Sequence, residues 1–454
     1  MQLIRRFLLA LAVVGAVGAC TTPTSTTQPP IVFVHGNGDS AALWMTTLWR
    51  FESNGWPRDR LVALNMPYPL ARDDDTKPQD GRSSIDDQMR TLSAGVDKVL
   101  KATGAGKVVL IGNSRGGNAI RAYIQNGGGA ATVSHAILGG TPNHGVWANA
   151  AFRPNNEFNG AGPFLSALNA PKGANGDEAT PGVQWMTIRS DNNDKYAQPD
   201  GVWIGAKGTP TNVTFDGPAL KGAANVVLPG RDHREVSYHA EAFAQAYRFI
   251  TGRAPATSAI TPEPRVVLDG LVTSTGPGGP TNLPLAGAVV EVYAVDAASG
   301  ERRGAPLVKT TVSADGRWGP LTTDSATPLE FVVTAAGYAT HHVYRSPFAR
   351  SSNIVDLRPE RLNDADRSAA AVITFVRPRG YFGLPRDQVV LDNRNPAPGI
   401  PPGVAGVASS KLALTDAASR TVIGVYKSGA IDERVVGRIW PAGDNHLVTL
   451  ELHH

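Results

Sequence analysis

The 454-residue chain is poor in cysteine, with Cys20 alone, and modest in aromatic and charged residues, at 7% and 18%. One cysteine cannot close an internal disulfide, nor supply the cysteine ligands of a zinc or iron–sulfur centre. The fold must rest on its apolar core, which a chain of this length can bury without covalent staples. A long helical fibre and a highly charged disordered chain are both excluded by this composition. Lysine and arginine number 43 against 39 acids, a net charge of +4, with no dense basic run and no aromatic–basic interleaving. Nucleic acid is therefore not an expected partner. What is abundant is glycine, 49, and proline, 34, which points to a loop-rich and partly β chain.

The N-terminus has the layout of an export signal. A short basic start (Met1 to Arg6) precedes an apolar run from Phe7 to Val17 and then Gly18-Ala19-Cys20. That run is too short to span a bilayer, which takes ~20 residues. Val17-Gly18-Ala19-Cys20 resembles the lipobox of bacterial lipoproteins. The resemblance implies cleavage of a signal over 1–19, acylation of Cys20, and an exported protein held on the membrane of the bacterial cell envelope. An ordinary secretory cut after Ala19 is the alternative. Residues 20–30, polar and ending in Pro29-Pro30, read as a tether.

Residues 31–252 alternate buried-strand and helix patterns. Ile31 to Val34 is a continuous apolar run ending at His35-Gly36-Asn37-Gly38. Ile85, Met89, Leu92, Val96, Val99 and Leu100 share one helix face, stopped by Gly104. Lys107 to Ile111, Ala136 to Leu138 and Trp185 to Ile188 are further strands, and Val236 to Phe249 is a closing helix. Such alternation predicts a parallel sheet covered by helices on both faces. A Gly/Asn/Pro-rich insertion over 147–182, with Trp147, Phe152, Phe158, Phe164, Leu165 and Leu168, is either a lid with an apolar underside or a surface excursion. The Asp73-Asp74-Asp75 run lacks the spacing of a calcium loop and reads as solvated surface. Past a Pro-rich linker near 262 the pattern turns to period-two strands. These fall into segments 262–357 and 369–454, separated by a charged stretch, 358–367, predicted helical.

Gly112-Asn113-Ser114-Arg115-Gly116 lies between a predicted strand and a predicted helix, the context of a nucleophile elbow. The turn is so tight that only small residues fit two positions either side of Ser114. A serine hydroxyl needs a general base, and the base an orienting acid. His233, in the loop before the closing helix, is placed as the base. Asp194, with Asp191 as the alternative, follows the strand ending at Ile188. The backbone amides of Asn37 and Arg115 are the expected oxyanion donors. Nothing in the pattern calls for a metal or an organic cofactor.

These motifs, with Gly140-Thr141-Pro142-Asn143-His144-Gly145, resemble those of bacterial and archaeal lipases and esterases of the α/β-hydrolase fold. Glu241 to Gly252 and Tyr344 to Arg350 are similar to a two-domain archaeal lipase with a β-rich C-terminal domain that assists long-chain substrates. The segment around Leu285 to Tyr293 resembles small β-sandwich modules of secreted carboxypeptidases and adhesins. The resemblance implies an α/β hydrolase followed by one or two β-sandwich-like units, acting on an acyl ester through an acyl-enzyme. Asn113 stands where that family commonly has His, and Arg115 where it has Met. A polyester depolymerase of polyhydroxyalkanoate type is the alternative within this chemistry. A cell-surface binding protein with a vestigial hydrolase domain is the alternative outside it.

Overall fold

The computed structural model describes residues 28–454. The export signal, Cys20 and most of the tether lie outside the described residues. Six strands form one parallel sheet: β1 (Ile31–Val34), β2 (Leu61–Leu64), β3 (Val108–Asn113), β4 (Val133–Gly139), β5 (Gln184–Ser190) and β6 (Ala224–Leu228). Their order is β2-β1-β3-β4-β5-β6, so β3 is central and its C-terminal end carries Ser114. Central strands buried on both faces must be apolar throughout, and β1 and most of β3 are (IVFV and VVLI).

Helices cover both faces. On one side lie α2 (Ile85–Thr103) and α3 (Arg115–Asn126), packed with Val32, Val34, Leu110 and Leu138. Helix α2 starts at Ser84 with a reciprocal capping box to Asp87 and stops at Gly104, which adopts φ 65°. On the other side α1 (Met45–Ser53) and the closing helix Ala240–Thr251 pack Trp44, Phe51, Phe243 and Tyr247 against Phe33 and Ile111. The closing segment differs from the expected single helix. It is broken at His239, whose extended backbone (φ −58°, ψ 155°) separates Glu235–Tyr238 from Ala240–Thr251 and whose ring accepts from the Glu241 amide. The apolar spacing survives because the second helix keeps the same buried face. Among the described residues no helix is long and apolar enough to cross a membrane.

The two C-terminal β segments share one sheet. Strand Thr340–Arg345 pairs in parallel with His446–Glu451 near the chain end, which in turn pairs with Ala371–Val376. The resulting seven-stranded sheet therefore takes strands from both 262–357 and 369–454, and the two segments are not separate sheets. Period-two alternation predicts each strand but says nothing of partners a hundred residues away. The stretch 358–367 is helical only over Asp364–Arg367, Pro359 being unable to donate within a helix interior. Side chains of residues 31–252 and of the β region belong to one continuous apolar core, in which Trp49 reaches across to donate to the Ser351 carbonyl (2.9 Å).

Candidate active site

Ser114 sits between β3 and α3 with φ 51° and ψ −121°, a conformation few non-glycine residues hold. The turn is fixed by the Ser114 amide donating to Gly139 (2.9 Å) and the Gly117 amide to Ser114 (2.9 Å). The flanking glycines are sterically required: a Cβ on Gly112 would lie 2.7 Å from Ile120, and one on Gly116 would strike the carbonyls of Val34 and His35. The small-residue rule that singled out the motif thus has a contact behind each position.

His233 lies in the loop after β6, and its Nδ1 is 2.8 Å from Asp194 Oδ2 in the turn after β5. Asp191 is engaged elsewhere: its carboxylate accepts from the amides of Asn193 and Gly230 and from the Ser190 hydroxyl. It closes the Asx turn that presents Asp194. The Tyr196 ring meets the His233 ring edge-on, centroids 4.6 Å apart. His233 Nε2 is buried and, among the described residues, has no hydrogen-bond partner. Asn113, the residue before Ser114, donates through Nδ2 to the His233 carbonyl (3.2 Å) and the Ser237 hydroxyl (2.8 Å), tying the elbow to the histidine loop.

Ser114 and His233 line one cavity of about 210 Å³, together with Asn37, Trp147, Phe158 and Trp203. The Asn37 side chain accepts from the Ala71 amide (2.8 Å), holding the turn after β1 against the cavity wall. Arg115 opens α3, so its amide is a first-turn N–H without an intrahelical acceptor. A second chamber of about 450 Å³ shares His233 and Tyr196 with the first and has Leu138, Ile188, Val213, Phe215 and Leu220 in its walls.

The insertion 147–182 roofs the first cavity with Trp147, Arg153, Asn156 and Phe158. It is bolted down by the side chain of Arg115, whose guanidinium grips both oxygens of the fully buried Glu157 at 2.8 Å and also donates to the carbonyls of Ser83 (2.7 Å) and Pro69 (3.0 Å). The side chain of the arginine after the nucleophile is therefore a structural bolt. Asp75 departs from the solvated-surface reading of 73–75: it is half-buried, and its carboxylate accepts from the Ile85 amide at the start of α2. Burial, then the nearby Glu157, raise its carboxyl to about 6.

The β region reaches into this site. Arg377, fully buried, donates to Asp232 Oδ2 (2.8 Å) and to Glu235, the residues flanking His233-Arg234, and to the Tyr238 hydroxyl (2.8 Å). Arg386 pairs with Glu235 (2.7 Å), the Tyr381 amide donates to Asp232 (2.8 Å), and the Tyr381 ring lines the cavity. The acid turn is held from the same side, by the Ala405 amide donating to Asn193 (3.0 Å) and Lys195 donating to the Gly406 carbonyl (3.0 Å). Lys195 also lies 3.9 Å from the Tyr381 ring, and burial, with Arg234 beside it, lowers its ammonium to about 8. None of Arg377, Tyr381 or Arg386 was a candidate on sequence. Their partners lie some 140 to 150 positions away, and the one local hint is a pair of arginines, 377 and 379, at the end of an otherwise apolar strand. Among the described residues no cluster of three or more His, Cys, Asp or Glu side chains could hold a metal ion.

Two family models agree with this architecture. Residues 29–159 match the model of the alpha/beta hydrolase fold, and residues 264–362 match that of the lipase C-terminal domain. Among solved structures, a Bacillus licheniformis lipase in its propeptide form is 16% identical over 91% of this chain and 93% of its own, with a TM-score of 0.36. Aspergillus fumigatus lipase B is 16% identical over 53% of this chain and 56% of its own, with a TM-score of 0.35. A Bacillus subtilis carboxylesterase is 13% identical over 50% of this chain and 85% of its own, with a TM-score of 0.26.

Proposed function

We propose that this lipase/esterase-like α/β hydrolase with a β-rich C-terminal region cleaves carboxylic esters of acyl or lipid type by way of an acyl-enzyme. The observation that carries the reading is the His233–Asp194 pair: with Nδ1 committed to the carboxylate, the neutral ring presents Nε2 as a base in the cavity it shares with Ser114. Ser114 Oγ attacks the ester carbonyl as Nε2 takes its proton, and the oxyanion is met by the amides of Asn37 and Arg115. The imidazolium, stabilised by Asp194, returns the proton to the departing alcohol. Water then attacks the acyl-enzyme, again giving a proton to Nε2, and the acid leaves as Ser114 is restored. No metal or organic cofactor enters this chemistry.

A fluorophosphonate probe should label Ser114 covalently, and Ser114→Ala should lose about a millionfold in turnover of 4-nitrophenyl butyrate. An unlabelled, folded protein would leave the β region as the working part and the cavity idle. The N-terminal pattern supports a lipid-anchored location at the cell envelope. Cys20→Ala should abolish metabolic incorporation of labelled palmitate and release the protein from membranes; unchanged incorporation rejects the anchor.

A further inference from the structure

The cavity above Ser114 carries more positive charge than its own carboxylates neutralise. Elsewhere in the site each arginine has an acid: Arg115 has Glu157, Arg234 has Asp39, and Arg377 has Asp232 and Glu235. Arg82 and Arg153, which line the same cavity as Ser114, break that pattern. Arg82 donates to the Ala71 carbonyl (2.8 Å), and among the described residues neither arginine has a carboxylate within ion-pair distance. Arg72, in the same wall, is paired with Asp87 (3.0 Å) yet keeps a buried Nε with no partner among the described residues. Of the two acids in the lining, Asp39 is held by Arg234, and Asp73 accepts through Oδ2 from the Gln79 amide (2.8 Å).

Resting on the ester-hydrolase reading, we propose that the substrate carries an oxyanion group, carboxylate or phosphate, which seats against Arg82 and Arg153 while its ester lies at Ser114. A guanidinium offers a planar fork of donors matched to two oxygens, and in a cleft with low-dielectric walls the attraction outlasts that of an open surface. A neutral triglyceride offers these donors only uncharged ester oxygens, weaker acceptors than an oxyanion, and would strip water from the guanidinium groups at a cost. A short ester of a hydroxy acid, with its free carboxylate a few atoms from the scissile bond, has the required chemistry.

The test compares charged esters with neutral isosteres on the full-length protein, the Ser114→Ala rate being subtracted as background. With the charge on the acyl side, 4-nitrophenyl hydrogen glutarate is set against 4-nitrophenyl 5-methylhexanoate. With it on the alcohol side, 3-butanoyloxybutanoate is set against the butanoate of 4-methylpentan-2-ol. A phosphonate replacing the carboxylate in each series distinguishes the two oxyanions. In at least one series kcat/KM should favour the charged ester by roughly tenfold or more at low salt, mainly through KM, and the margin should shrink as salt rises. In Arg82→Gln with Arg153→Gln the ratio should fall towards one, and in Arg82→Glu with Arg153→Glu it should invert. Equal or better turnover of the neutral isostere in both series, or a ratio untouched in the double variants, overturns the proposal while leaving the hydrolase standing. Loss of fluorophosphonate labelling at Ser114 in the folded parent is the separate result that removes the hydrolase reading itself.

Discussion

Arg377 donates to the carboxylate of Asp232 at 2.8 Å, joining the end of a β-region strand to the residue immediately before His233. Both side chains are fully buried, and Glu235 is held by the same guanidinium. Two buried carboxylates share this arginine, and burial followed by repulsion from Glu235 already pushes the Asp232 carboxyl up. Taking the cation away leaves Arg386, 2.7 Å from Glu235 and 3.8 Å from Asp232, as the one arginine facing both carboxylates among the described residues. Arg377→Met should therefore cost about 3–5 kcal/mol of stability. The His233 loop should shift with it, so that kcat falls even in conditions where the variant is folded. Urea unfolding together with kcat on a neutral ester checks both. Arg377→Lys should recover only part of either, because an ammonium lacks the fork that spans Asp232 and Glu235. A variant with parental kcat would mean the clamp holds the β region in place without steering the histidine.

The strained backbone at Ser114 predicts a trade between activity and stability. At φ 51° a side chain is disfavoured and glycine is at ease. Ser114→Gly should eliminate turnover and raise stability by about 1 kcal/mol, read as a higher urea midpoint with an unchanged slope. Gly116→Ala should instead lower stability, since a Cβ there meets two backbone carbonyls that cannot move without β1.

The two candidate acids separate cleanly in their consequences. Asp194 touches His233, whereas Asp191 accepts from the Asn193 amide of its own loop, the Gly230 amide of the loop after β6 and the Ser190 hydroxyl. Asp194→Asn should keep the geometry but present the wrong histidine tautomer, and lose roughly 10⁴-fold in kcat. Asp191→Asn keeps an acceptor for the turn and should lose far less. Similar losses in the two variants would show that the turn as a whole, and not one carboxylate, orients the imidazole.

Legibility in the sequence followed the range of each interaction. Ser114 and its glycines were readable because the elbow's constraints act within five residues. His233 was readable because on this fold the base follows the last strand. The choice between Asp194 and Asp191 stayed open because three residues of a turn decide which carboxylate points inward. The helix break at His239 was invisible, since spacing registers a buried face and not a change of backbone at one residue. The shared C-terminal sheet and the Arg377, Tyr381 and Arg386 contacts were beyond reach for a different reason. A strand's alternation is indifferent to which partner it pairs with, and a buried arginine announces only that an acid exists somewhere in the fold.

Three buried histidines set the acid limit of the structure. Burial lowers His35 to about 4, His341 to about 3 and His453 to about 4. His35 shows why the neutral ring is preferred: Nδ1 donates to the Gly36 carbonyl (2.9 Å) and Nε2 accepts from the Met66 amide (3.0 Å), so a second ring proton has no place. Because each folded-state pKa lies below the unfolded value near 6.5, the unfolded chain binds protons first. Their contribution is complete above about pH 6.5 and is lost as pH falls towards 4. Each ring removes at most about 2 kcal/mol between pH 7 and 5. Asp75 acts in the opposite sense, since its carboxyl, raised to about 6, takes up a proton in the folded state first and adds stability as pH falls from 6 towards 3.8. Asp232, Asp356 and Glu360 are raised in the same sense as Asp75, but burial also lowers His135, His239, His342 and His446; the lowered rings outnumber the raised carboxyls, so the urea midpoint should drop from pH 7 to 5. In His453→Gln the slope of stability against pH should lessen by about one proton over that window. A midpoint that holds level or rises between pH 7 and 5 would mean that the buried rings are protonated in the folded protein and paired with acids.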